Sequence, residues 1–206
     1  MPRSTGVKDK LDEAAVGLFA ARGVDGVSIA EIAAAAGVSQ GALYRHYASK
    51  EELAWTLFST AYLRTARELD DIRSRHRDFA GQVTAMVTHF CRLYEADAPL
   101  FRFMLISQHD LLPRLTREQR TAVDAVADTV AAAVQGGEIA AVDCAAAAAV
   151  IIGIVLQTAI FHIYGTLSGG LTERAPALAC SAIAAVRAFA EAASASAWAA
   201  GAGHGA

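Results

Sequence analysis

The stretch from Ser39 to Lys50, SQGALYRHYASK, gathers hydrogen-bonding and basic side chains at short intervals. Gln40 can donate to and accept from an adenine edge, and Tyr44, Arg45, His46 and Lys50 offer donors or positive charge to phosphate oxygens. Gly41 and Ala42 add almost no bulk, so a backbone carrying them can approach a base edge closely. This chemistry reads a polyanion and makes no covalent bond. Elsewhere, catalytic spacing is missing. His109 and Asp110 are adjacent, yet no nucleophile motif, phosphate-cradling glycine loop or metal spacing accompanies them. His89 and Cys91 lie two apart, which on a helix separates their faces, so no metal site is expected there. Cys91, Cys144 and Cys180 form neither a disulfide framework nor a C-x-x-C pair and fit a reducing cytosol. The chain is expected to be no enzyme and to need no cofactor.

Three short helices must position the Ser39–Lys50 groups. The first is expected from about Val7 to Arg22, where Leu11, Ala14, Ala15, Leu18 and Phe19 form one apolar stripe before Gly23. Ser28-Ile29-Ala30-Glu31 has the S-x-x-E form of a capping box and opens a second helix that stops at Gly37. Ser39 can cap a third that begins at Gln40. Ile29, Ile32, Ala33 and Ala36 give the second helix an inward face, and Leu43 and Tyr47 anchor the third to the same core. That arrangement turns Gly41, Tyr44 and Arg45 outward with Gln40 and Ala42 at the flanks. Two helices joined by a tight glycine-containing turn read as a helix-turn-helix, whose second helix fits the major groove.

The segment GVSIAEIAAAAGVSQGALYRHYASKEEL resembles the N-terminal DNA-binding signature of the tetracycline-repressor (TetR) type of bacterial regulators. The shared positions are Ile32, Ala33, Ala36, Gly37, Val38, Ser39, Gly41, Leu43, Tyr44, His46, Ser49, Lys50, Glu51 and Leu53. Ser28 stands for the family's threonine, Tyr47 for its phenylalanine, and Val24 where an aromatic is frequent. Lys8 occupies a usual arginine position in the first helix. The resemblance covers about residues 7–54. It implies an all-α chain with an N-terminal three-helix DNA-binding domain at 1–50 and a larger ligand-binding and dimerisation domain at 51–206. A linking helix is expected at about 51–72 and a disordered tail at 199–206. The residues assigned to DNA are Ser28, Ser39, Gln40, Gly41, Ala42, Tyr44, Arg45, His46 and Lys50.

Charge and composition agree with this division. The formal net charge is −3, which excludes a protein that coats nucleic acid by bulk charge. Residues 1–77 carry eleven Lys and Arg against ten Asp and Glu, whereas residues 78–206 carry seven against eleven. Alanine accounts for 48 of the 206 residues and proline for only four, which favours helix throughout. The N-terminal residues lack an apolar core after their early charges, so no secretory leader is expected there. Residues 144–161 are free of charged side chains and long enough to span a membrane. Six alanines, Gln157 and Thr158, and the lack of a flanking basic cluster make a buried or interfacial helix the expected role, in a cytoplasmic protein.

Beyond residue 78, helices are expected at about 79–96, 99–110, 117–135, 141–164 and 172–197. The last two are alanine-dense. Ile151, Ile154, Val155 and Thr158 form one stripe and Ile183, Val186, Phe189 and Ala190 another, and both are expected to build a homodimer interface. Met86, Phe90, Tyr94, Met104, Gln157 and Phe161 are the candidates for a pocket that takes a small, largely apolar effector. The expected activity is that of a dimeric repressor on a near-palindromic double-stranded operator, released when the effector shifts the helix carrying Trp55, Phe58 and Tyr62. An activator of the same family is an alternative. A ligand-binding or scavenging helical protein without DNA affinity is another.

Overall fold

The computed structural model describes residues 6–202, with side chains through residue 194. Its elements are α1 (Val7–Arg22), α2 (Ile29–Ala35), α3 (Gln40–Tyr44), α4 (Lys50–Arg75), α5 (Phe79–Ala96), α6 (Ala98–Leu111), a 3-10 turn (Leu112–Arg114), α7 (Ala122–Gln135), α8 (Cys144–Ile163) and α9 (Leu171–Ala202). No strand occurs among the described residues, and the all-α expectation holds. Side-chain caps set many of the boundaries. Asp97 accepts from the Leu100 amide at the head of α6, and Asp143 accepts from the Ala145 and Ala146 amides at the head of α8. Thr121 and Asp124 cap α7 reciprocally. That box explains why residues 117–121, expected as helix, lie outside α7. Leu171–Ala202 is one helix, so residues 199–202 of the expected disordered tail are helical, and 203–206 lie outside the described residues.

The chain forms two compact units, and neither is continuous in sequence. The first comprises residues 1–64 and 97–119, the second 65–96 and 120–206. Compactness thus divides the chain differently from a single cut near residue 50. The reason lies in α1. Its stripe Leu11, Ala15 and Phe19 is wholly buried, and α2 and α3 are too short to cover all of it. Phe103 and Leu111 of α6 complete the core, with the Phe103 ring centroid 5.5 Å from that of Phe19. Leu53, Ala54 and Phe58 of α4 close the same core. Arg114, just after α6, lays its guanidinium 4.6 Å from the Trp55 ring centroid, a cation–π contact with the first half of α4.

In the second unit α5 packs against α7, α8 and α9, and α8 packs against α7 and α9. Phe79, Val83, Met86, Val87, Cys91 and Tyr94 of α5 are buried, as are Val126, Thr129 and Val130 of α7, and the Thr129 hydroxyl lies 3.9 Å from the Met86 sulfur. Alanine serves close approach here. Ala147, Ala148 and Ala159 of α8, and Ala175, Ala179, Ala182 and Ala190 of α9, are all buried within the chain. The stripes expected to face a second subunit are therefore split. Ile151, Val155, Val186 and Ala190 are buried inside the unit, while Ile154, Thr158 and Ile183 are half-buried and Phe189 is exposed. Each inward face spans only part of the helix circumference, which leaves the remainder of α8 and α9 outside. Both helices are long and apolar enough to cross a membrane by length and composition alone. At the other side of the unit, Arg120 pairs with both Asp70 and Asp128, tying the entry to α7 to the end of α4.

The shared core has a direct test. Phe103→Ala should cost about 3–5 kcal/mol in urea denaturation of the full chain, as large as the loss from Phe19→Ala. A cost below about 1 kcal/mol would show that α6 does not belong to the N-terminal core.

Candidate nucleic-acid interface

The site is assembled from three helix starts. At the first, the Ser28 hydroxyl accepts from the Glu31 amide at 3.3 Å while the Glu31 carboxylate accepts from the Ser28 amide at 2.8 Å. The same carboxylate also accepts from the Ser28 hydroxyl at 2.7 Å and from Arg22 Nη1 at 2.8 Å. One acidic side chain therefore caps α2 and ties it to the end of α1. The entry into this cap is tight: a Cβ on Gly26 would stand 2.5 Å from the Arg22 carbonyl oxygen, so glycine is required for the chain to pass.

The turn between α2 and α3 rests on Gly37, whose φ of 68° lies in the left-handed region that side chains disfavour. The Gly37 and Val38 amides donate back to the Ala34 and Ala33 carbonyls, closing the end of α2. Ser39 then accepts from the Ala42 amide at 3.2 Å and starts α3. At the third start, Ser49 accepts from the Glu52 amide while Glu52 accepts from the Ala48 amide. Lys50, half-buried, is thereby held at the first turn of α4.

These caps leave one face of α3 open. Gln40, Gly41, Arg45 and His46 are exposed, and Tyr44 is 53% exposed. Among the described residues the side chains of Gln40, Tyr44, Arg45 and His46 enter no hydrogen bond or ion pair, so their donors and charge are available. Leu43 and Tyr47 point inward as expected, and Ala42 joins them at 6% exposure. Ala42 was expected at the flank of the DNA face. It lies 200° around the helix from Gln40, which turns it into the core. Ser28 and Ser39 sit at the rim, but the Ser28 hydroxyl already donates to Glu31 and accepts from its amide. Lys50, Ser28 and Ile29 share a shallow concave surface with Asp25, Gly26, Val27 and Glu31.

The sequence alone did not reveal Arg22 as a partner of Glu31. Nor did it reveal that Tyr47 donates to Asp12, whose other oxygen receives Lys8 at 2.6 Å. The departure from phenylalanine at Tyr47 was the one available signal, since a buried phenol requires an acceptor.

The expected pocket residues do not form one group. Met86 and Tyr94 are buried and Phe90 half-buried on α5, whereas Met104 belongs to the first unit. Gln157 and Phe161 are exposed, because they lie on the face of α8 opposite the stripe Ala148, Ile151, Val155 and Ala159. Tyr94 is fixed by a 2.7 Å hydrogen bond to His162 Nδ1, and His162 Nε2 donates to the Gly169 carbonyl. The imidazole is thus held as the acceptor of the phenol proton. Burial, with Glu95 adding to it, pushes the Cys91 thiol up to about 11, which leaves it without thiolate character near neutral pH.

Residues 12–55, which include all of this interface, match the model of the bacterial regulatory proteins of the tetR family. The chain carries a tetR-family N-terminal domain. A candidate mycofactocin biosynthesis transcriptional regulator of Mycobacterium tuberculosis, MftR, is 43% identical over 65 residues. That match covers 32% of this chain and 33% of the relative, so the chain spans about a third of the length of the curated relative it matches. Solved structures share the fold over most of the chain. A candidate fatty acid metabolism regulator of Clostridium perfringens superposes with TM-score 0.74 at 19% identity, covering 84% of this chain and 96% of that one. FadR of Bacillus subtilis, solved in complex with stearoyl-CoA, gives 0.69 at 16% identity, covering 84% and 96%. At these identities the likeness is one of fold.

The cap on this tetR-family domain is pH-dependent. Hydrogen bonds from the Ser28 hydroxyl and amide, and then from Arg22, hold the Glu31 carboxyl down to about 2. A lowered folded-state value stabilises the fold above the ordinary carboxylate range and loses that effect as pH falls from about 4.5 towards 2. Glu31→Gln should therefore melt below the natural protein at pH 7, with the two melting temperatures converging as pH is lowered through that window. A constant difference across the window would exclude the carboxylate as the source.

Proposed function

We propose that this chain is a sequence-specific transcriptional regulator that represses as a homodimer and leaves its operator when a small apolar molecule binds. The observation that carries the reading is the open face of α3. Gln40, Gly41 and Tyr44 stand free at the start and end of a helix that follows a tight turn, while Ser39 and Lys50 flank it with groups suited to phosphate. Ser28, Arg45 and His46 extend the phosphate-facing rim. A helix-turn-helix of this size reads a half-site, and two copies on a near-palindrome complete the operator.

Support for the dimer comes from the outward sides of α8 and α9. Ala145, Ala149 and Gly153 recur every four residues on the exposed side of α8, and Gln157 and Phe161 continue that line. On α9, Ala177, Cys180, Ser181, Ala184 and Ala188 are exposed, with Phe189 beside them. Small side chains on both helices permit the close four-helix approach of two subunits. The membrane reading of the same helices predicts a protein that needs detergent for extraction; the dimer reading predicts one that does not, in the cytoplasm. The functional division then assigns 1–50 to DNA and 51–206 to effector and subunit contact, with α4 continuous through residues of both compact units.

An effector acts only through unequal affinity for the DNA-competent and DNA-incompetent states. Its chemistry is expected to be largely apolar, as Met86, Phe90 and Tyr94 on α5 suggest. The neighbour solved with stearoyl-CoA makes a fatty acyl thioester the first compound to try. An activator would show the same DNA binding with the opposite effect on transcription. A scavenging protein would show none.

Selection from a random-sequence duplex library with the full chain tests the reading, and an unenriched pool would overturn it. Lys50→Ala should weaken binding alike on all sequences and reduce the salt dependence by about one phosphate contact. Gln40→Ala should relax preference at one operator position, by about 1–3 kcal/mol. Unchanged salt slope and unchanged consensus would remove these roles. For the subunit contact, Gly153→Glu is the apt variant, because a Cβ there meets nothing within 4 Å in the chain itself. It should sediment as a monomer and lose operator affinity; a dimer that persists would place the interface elsewhere.

A further inference from the structure

Tyr47 lies three residues past the end of α3, and it is 3% exposed in the core that also holds Leu11, Leu43 and Leu53. Its hydroxyl leaves that core to donate to Asp12 Oδ1. Asp12 Oδ2 accepts from Lys8 at 2.6 Å, and the same ammonium stands 5.3 Å from the Tyr47 ring centroid. Two residues one turn apart on α1 and one residue past α3 thus form a closed set. Burial first, and then Asp12, raise the Tyr47 phenol above its ordinary value, so it remains a proton donor. For Lys8, burial works against the charge, but the hydrogen bonds to Asp12 and Tyr47 outweigh it and push the amine up to about 12.

A ring held only by dispersion can slide or roll, because apolar contact has no direction. An O–H···O bond to a carboxylate is directional and stronger than a neutral one. We propose that Tyr47, with Asp12 and Lys8, acts as a positioning strut that fixes the roll and axial position of α3, and with them the register of Gln40 and Gly41 against base edges. The inference rests on α3 being the DNA-reading helix. Tyr47 itself touches no DNA in this scheme. Base readout demands placement within about 0.5 Å, whereas a phosphate contact from the flexible Lys50 side chain tolerates more. The strut therefore governs specific binding and leaves non-specific binding alone.

Tyr47→Phe keeps the ring and removes the bond; Asp12→Ala removes it from the other side. The probes are the consensus duplex enriched by the natural protein from a random library and a scrambled duplex of equal length. Each variant should bind the consensus about tenfold more weakly and the scrambled duplex within about twofold of the natural protein, at unchanged salt slope. The double variant should be no worse than Asp12→Ala alone, since that change already removes the Tyr47 bond together with the Lys8 pair. Asp12→Asn, which keeps an acceptor, should recover most of the affinity. Undiminished consensus binding by Tyr47→Phe overturns the strut. So does an equal loss on both duplexes, the mark of a general folding defect. If the natural protein enriches no sequence, the DNA-reading assignment of α3 fails and the strut with it, an outcome distinct from an enriched consensus that Tyr47→Phe binds normally.

Discussion

A helix of five residues cannot hold itself. Forming one turn fixes several backbone angles for a single hydrogen bond, so α3 has almost no stability of its own. Everything that makes it rigid is supplied from outside. Ser39 fixes its first amides, Ala42 and Leu43 press into the core, and Tyr47 is tied to α1. The same dependence propagates backward. The turn that delivers Ser39 requires Gly37, and α2 before it is held by a carboxylate that also grips Arg22. The interface is thus a chain of small local commitments, each of which places the next.

The charge of the molecule follows a similar economy. A chain of net −3 has no bulk attraction for a polyanion, so the positive charge near α3 matters by its placement. Arg22 and Lys8 are consumed by Glu31 and Asp12 in holding the domain together. Arg45 and His46 are not so consumed, and Lys50 waits at the head of α4. The positive charge open at this face therefore depends on which cations the fold occupies, more than on how many the chain has.

Much of this was legible in the residues. Helix-period apolar stripes in α1 and α2, the Ser28–Glu31 box and the Gly37–Ser39 turn are local features, and local features can be read from spacing. Ala42 was misjudged because a flank position on a short helix is decided by the exact angle from its neighbours. The wider failures are non-local. Nothing in residues 97–119 announces that Phe103 will meet Phe19, because one apolar stripe fits many partners equally well. Alanine is ambiguous for a related reason. It favours helix and close approach but does not say to what, and α8 and α9 bury one alanine-rich face within the chain while keeping another outside. Gln157 and Phe161 looked like pocket residues by type, yet helical phase carries them away from Met86 and Tyr94.

The discontinuity of the first unit has a consequence during synthesis. The chain crosses between the two units three times, after residues 64, 96 and 119. When the segment through Leu53 and Phe58 leaves the ribosome, Phe19 still lacks Phe103 and Leu111. Closure must wait for about fifty further residues, which at elongation rates of about 5–20 residues per second is a delay of several seconds. During that interval the nascent three-helix element presents an open apolar seam. A gene fragment ending at the apparent edge of the N-terminal motif would keep the seam open permanently, so the first compact unit is inherited whole or not at all.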